Sequence, residues 1–95
     1  MAKIRLNGRK NISGARIKEL RESAGLSQRD LAHQLQLAGI DLDKNVITRI
    51  ETGKRYVNDF ELYHLVKLLN TSYQFLIEGP APEQAGILPG KNIRK

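Results

Sequence analysis

Lys44, Asn45, Thr48 and Arg49 form two adjacent pairs one helical turn apart, with Val46, Ile47 and Ile50 at the positions between and after them. On a helix this spacing puts the four polar side chains along one edge and the three aliphatic ones along another. The chemistry open to such an edge is recognition rather than bond breaking. A guanidinium or ammonium donates to guanine O6 and N7, a carboxamide pairs bidentately with adenine, and a threonine methyl meets that of thymine. Each good bidentate contact discriminates between bases by about 1–3 kcal/mol. Four polar residues on the helix of any small bundle are ordinarily just solvated, however, so the pattern alone does not decide between the two roles.

Groups of the kind enzymes use are sparse. His33 and His64 are the only histidines, and they fall in helical patterns with no H-E-x-x-H, no paired carboxylates and no glycine-rich phosphate loop around them. Both are expected at the surface or the edge of a core. Cysteine is absent, which excludes disulfides, zinc ribbons and thiol chemistry. The chain is therefore expected not to be an enzyme and to carry no cofactor and no metal site.

The elements that must hold the polar edge follow from apolar periodicity and capping. Ile17, Leu20 and Ala24 mark the inward stripe of a first helix that begins near Ser13 and stops at Gly25. Ser27 and Asp30 make a capping box for a second helix with Leu31, Ala32 and Leu35 inward, ending at Gly39. Asp41 and Asp43 are alternative N-caps for the third, which spans about 43–52, turns Val46, Ile47 and Ile50 inward and ends at Gly53. Asn58 and Glu61 make a second box, opening a helix with Phe60, Leu62, Leu65, Val66 and Leu69 apolar. Thr71 or Ser72 caps a short fifth helix with Tyr73, Phe75, Leu76 and Ile77. No strand pattern and no repeat appears, so the fold expected is all-α, with five helices over residues 13–79.

Length and charge bound the rest. A chain of 95 residues closes around one core only. Residues 1–12 lack a helical period and carry Lys3, Arg5, Arg9 and Lys10 with no acid, so they are expected to form a mobile or extended basic arm. Residues 80–95 follow Gly79 with all three prolines and are expected to form a tail. The net charge of +6 sits on these ends, because residues 13–79 hold nine basic and nine acidic side chains. A polyanionic partner must then be recognised by where charge is placed, not by its sum. No apolar run approaches the roughly 20 residues of a membrane helix, so no membrane association is expected, and the cytoplasm is the expected compartment.

The segments IKELRESAGLSQRDLAHQL, VITRIETGKR and LVKLLNTSYQFLI, in that order, resemble the phage-repressor and Cro (XRE) family of helix-turn-helix domains, over residues 16–78. The resemblance implies a five-helix, lambda-repressor-like fold whose third helix enters the major groove of duplex DNA. It thereby favours base contact for Lys44, Asn45, Thr48 and Arg49 over simple solvation. It also implies a transcription regulator acting as a homodimer, reading half-sites about 34 Å apart. Gln28, in the first turn of the second helix, is placed by the same resemblance against phosphate, and there the partial positive charge of the helix start is favourable. Arg29 beside it, and Lys54 and Arg55 beyond Gly53, are further candidates for phosphate contact. Arg21 and Glu51 are implied to form an internal ion pair of structural rather than catalytic meaning.

Two features depart from the family pattern or compete with it. The connection between the second and third helices is longer than in most members; it either extends the second helix or loosens the loop. Asp41 and Asp43 place negative charge where the third helix would approach phosphates. The rival reading is a protein-interaction module built on the same scaffold, or a subunit of a larger assembly. Tyr73, Phe75 and Ile77, with Ile87 and Leu88 of the tail, are its candidate contacts, and they serve equally as a homodimer contact or as core.

Overall fold

The computed structural model describes residues 8–80. Lys3, Arg5, Ile87, Leu88 and the remaining residues of the outer arm and tail lie outside that range, and so do the expectations placed on them. The described chain is all-α: α1 Gly14–Ser23, α2 Gln28–Leu37, α3 Lys44–Glu51, α4 Asp59–Leu68 and α5 Tyr73–Glu78.

Local side-chain bonds set where four of the helices begin. Ser27 accepts from Asp30 N–H while Asp30 accepts from Ser27 N–H, closing the expected box at α2. Asn58 and Glu61 do the same at α4. Of the alternative caps, Asp43 rather than Asp41 opens α3, accepting from Val46 N–H at 2.9 Å. Ser72 rather than Thr71 opens α5, accepting from Phe75 N–H at 3.0 Å. Each such acceptor satisfies a main-chain donor that the helix itself leaves without a partner.

The ends repeat one device. After α1, Leu26 N–H reaches back to Arg21 C=O; after α2, Ile40 to Leu35; after α3, Lys54 to Arg49; after α4, Thr71 to Val66. Each of these closures turns through a residue with positive φ, which is Gly25, Gly39, Gly53 and Asn70 in turn. Glycine and asparagine are the residues that enter this left-handed region at least cost.

Packing places α3 against both α1 and α2, with α4 behind α2 and α5 on α4. Ile17, Leu31, Leu35, Ile47, Ile50, Leu65 and Leu76 are the large side chains wholly removed from water, and Ala32, Leu42 and Leu69 complete the core. Burying one such side chain contributes about 1.5–3 kcal/mol. The core thus draws on all five helices, and α3 is seated on it by Ile47 and Ile50.

The structure corrects the expected faces on three helices. Ala24 is exposed and caps α1 instead of lying inward; the buried face of α1 is Gly14, Ile17 and Arg21. On α4, Phe60 is 73% exposed whereas Glu61 is buried, because Glu61 must turn inward to serve both the capping box and Arg55. On α5 only Leu76 is buried, with Tyr73 47% and Ile77 40% exposed. Residues 9–11, expected within a mobile or extended arm, are docked on the end of α3: Lys10 N–H donates to Gly53 C=O at 2.8 Å, and the Arg9 and Asn11 side chains bond to main chain there.

The longer connection is neither a helical extension nor loose. Residues 38–43 lie between α2 and α3, and Leu42 is buried at 4% exposure. Gln36 donates from Nε2 to Leu42 C=O, which ties the loop to the last turn of α2.

Candidate nucleic-acid interface

At eight residues α3 is a short rod, about 12 Å long at 1.5 Å per residue. Its inward side is fixed by the core, so its outward side is fixed as well. Lys44, Asn45 and Arg49 are exposed, and their side chains make no hydrogen bond to the described residues. Thr48 is half-buried, and its hydroxyl is engaged: Oγ1 lies 2.8 Å from Gln28 Oε1 and 3.1 Å from Lys44 C=O. Both of those atoms accept, and the hydroxyl has a single proton to give. Thr48 therefore offers outward a methyl group and an acceptor lone pair, not a donor.

Gln28 owes its orientation to Glu51. A carboxylate only accepts, so the amide nitrogen of Gln28 must face it; Nε2 lies 2.9 Å from Glu51 Oε1, which leaves Oε1 of Gln28 for Thr48. Glu51 in turn receives Arg21 through two bonds, Nε to Oε2 at 2.6 Å and Nη2 to Oε1 at 3.1 Å. Arg21 also donates from Nη1 to Leu26 C=O at 2.7 Å. The Arg21 and Glu51 side chains are 8% and 1% exposed, so both charges are withdrawn from solvent. Hydrogen bonding to Glu51 holds the Arg21 guanidinium above its ordinary pKa against the cost of burial. The chain Arg21–Glu51–Gln28–Thr48 thus runs from the interior to the middle of the outward edge of α3.

The remaining candidates separate into two kinds. Arg29 and Lys54 are exposed, one in the first turn of α2 and one just past α3. Arg55 is not directed outward: its guanidinium meets Glu61 bidentately at 2.9 and 3.0 Å, and this bonding raises its pKa. Its charge is paired with Glu61 at a half-buried position, so unlike Arg29 and Lys54 it is not a free cation. Asp41 is exposed, while Asp43 is occupied as the cap of α3. Among the described residues, the cations left free around α3 are Arg29, Lys44, Arg49 and Lys54, a local excess within a stretch, 13–79, of balanced charge.

Residues 9–11 were not singled out by the sequence as part of this site. Arg9 donates from Nη2 to Glu51 C=O at 3.1 Å, and Asn11 donates from Nδ2 to Ile50 C=O at 3.0 Å and to Arg55 C=O at 2.7 Å. All three bonds span about forty positions of sequence, and no local pattern announces them. His33 is exposed on α2, and His64 meets the ring of Tyr63 edge-on at 5.1 Å. Among the described residues no cluster of acidic and histidine side chains is arranged to hold a metal ion. None of the helices described is long and apolar enough to cross a membrane.

A family model described as helix-turn-helix matches residues 17–76, from the first fully buried side chain to the last. Searches of curated proteins and of solved structures gave no match.

Proposed function

Because this chain belongs to the phage-repressor-like (XRE) helix-turn-helix family, a DNA-binding family, we propose that it is a sequence-specific transcription regulator that reads the major groove of duplex DNA with α3. One observation carries the reading: Ile47 and Ile50 are sealed in the core while Lys44, Asn45 and Arg49 stand outward with no intramolecular partner among the described residues. The major groove, about 12 Å wide, admits a helix of this size. Arg49 and Lys44 suit guanine O6 and N7, and Asn45 suits adenine. Thr48, its proton already given to the protein, suits a thymine methyl or an exocyclic amine of adenine or cytosine.

Gln28, Arg29 and Lys54 contact phosphate on this reading. Gln28 spends one amide proton on Glu51 and keeps the second, so it braces α3 and reaches the backbone with one group. Such contacts fix the register of the helix without carrying sequence information.

The protein acts as a homodimer on a palindromic operator. Four side chains on one short helix contact too few base pairs to single out a site, and a second copy doubles the readout at about one helical turn, ~34 Å, of spacing. Supporting this, Phe60, Tyr63 and Tyr73 line an open groove of about 590 Å³ between α4 and α5, an exposed aromatic surface suited to a like surface. The reading places the protein in the cytoplasm with its DNA.

Selection of bound sites from a random duplex library tests the proposal. The expected result is one preferred sequence, with two-fold symmetry, whose recognition is lost on Arg49→Ala. Recovery of no preferred sequence, together with stable capture of a protein through the α4–α5 face, overturns it in favour of an interaction module.

A further inference from the structure

The last four carbonyls of an α-helix have no partner within it, and what satisfies them decides how firmly that end is held. In α3 the turn that follows serves three: Thr52 N–H donates to Thr48 C=O, Lys54 to Arg49 and Gly53 to Ile50. Glu51 C=O is left over, and among the described residues its donor is the guanidinium of Arg9. Asn11 adds a second donor at Ile50 C=O, and with the other proton of the same amide nitrogen it holds Arg55 C=O. Its Oδ1 accepts from Gly14 N–H at 2.8 Å, so one side chain pins the start of α1, the end of α3 and the loop beyond. Lys10 N–H closes on Gly53 C=O between them.

The contact is tight as well as bonded. A β-carbon at Gly53 would lie 2.6 Å from Arg9 Cζ, and one at Gly14 would lie 2.1 Å from Ile50 C=O. The guanidinium also brings a positive charge to the C-terminal, negative end of the helix dipole.

We infer that Arg9 and Asn11 are positioning residues that set base discrimination by α3, acting through its C-terminal half. The inference rests on the DNA-binding reading above. Gln28 and Arg21 hold α3 through the side chains of Thr48 and Glu51, on either side of Arg49, but they leave the main-chain carbonyls of its final turn to Arg9 and Asn11. Bidentate pairing with a base demands a fixed guanidinium plane, so the orientation of Arg49 depends on how the last turn is anchored. The strap at 9–11 is the main-chain part of that anchor, beside the buried side chains of Ile50 and Glu51.

The test uses two substitutions that leave net charge unchanged in the whole chain, Asn11→Ala and Arg9→Lys, with Arg49→Ala as reference. Affinity is measured for the preferred duplex and for a scrambled one, at a temperature where circular dichroism shows each variant folded. Each strap variant is expected to lower the preferred-to-scrambled ratio by about 5-fold or more, the lower bound of a lost base contact. Scrambled-site affinity and its salt dependence stay unchanged. Combined with Arg49→Ala, either substitution is expected to lower the ratio no further, because both act through the same guanidinium. Variants that melt earlier yet keep the ratio within about twofold of the parent show a strap that only stabilises, and they overturn the inference alone. Equal losses in the presence and absence of Arg49 also overturn it. If Asn11→Ala does not fold, Arg9→Lys decides by the same criteria. A parent protein without a preferred site overturns the DNA reading, and this inference with it.

Discussion

Replacing Glu51 by alanine removes the acceptor shared by Arg21 and Gln28. The Arg21 side chain, 8% exposed, then keeps Leu26 C=O as its remaining close acceptor in the interior. Breaking a buried pair by deleting one partner costs about 3–5 kcal/mol, chiefly because the surviving charge is left uncompensated. A domain of this size has roughly 4–10 kcal/mol of stability in total, at about 0.05–0.15 kcal/mol per residue. Each kcal/mol shifts the melting temperature of such a domain by about 4–8 °C, so the expected fall is roughly 12–40 °C. Thermal and urea melts followed by circular dichroism measure it. Arg21→Met combined with Glu51→Leu is expected to recover much of the loss, since no lone charge is then buried. A fall of less than about 4 °C for Glu51→Ala, or a double variant less stable than the single one, refutes the assignment of a coupled buried pair.

Two further outcomes separate cations and carboxylates by their surroundings. Lys54→Ala is expected to reduce the log–log salt slope of duplex binding by about 0.9, whereas Arg55→Ala leaves the slope unchanged and lowers the melting temperature, because its charge is held by Glu61. Binding titrations at several salt concentrations read both. Bonding from Ser27 holds the Asp30 carboxyl below its ordinary pKa of 3.8, so its contribution to stability is present above that value and lost as pH falls through the lower folded one. Urea midpoints of the parent and Asp30→Asn are therefore expected to differ at neutral pH and to converge in acid below the ordinary value; a gap independent of pH contradicts the bonding.

What the sequence discloses is what neighbours in sequence decide. Ser27 with Asp30, and Asn58 with Glu61, are bonds between residues three apart, so both helix starts are readable without a fold. The glycines at 25, 39 and 53 mark the ends for the same local reason. Helix faces are less legible when apolar residues cover more than one side. On α4, Phe60 is as apolar as Leu65, and the engagement of Glu61 by Arg55, added to the capping box, goes with Glu61 inward and Phe60 out. Similarly, a charged residue, Arg21, lies on the inward face of α1 because its partner comes from α3, while Ala24 falls outside the helix as its C-cap. The outward edge at 44, 45, 48 and 49 could be placed from periodicity, but the loss of the Thr48 proton to Gln28 depends on α2 crossing α3. The strap from Arg9 to Asn11 was hidden most completely. A basic run without helical period gives no sign that three of its members complete a helix some forty residues on.

Leu42 has a practical corollary for exchanging specificity between related proteins. Because this side chain plugs the core from the connection, and Gln36 grips its carbonyl, the loop and α3 are hung from a common peg. Transplanting α3 alone from a relative with a shorter connection would import side chains but not the hook that sets their height over the groove. The portable cassette is the whole stretch 38–51, taken with whatever apolar residue its donor uses as the plug.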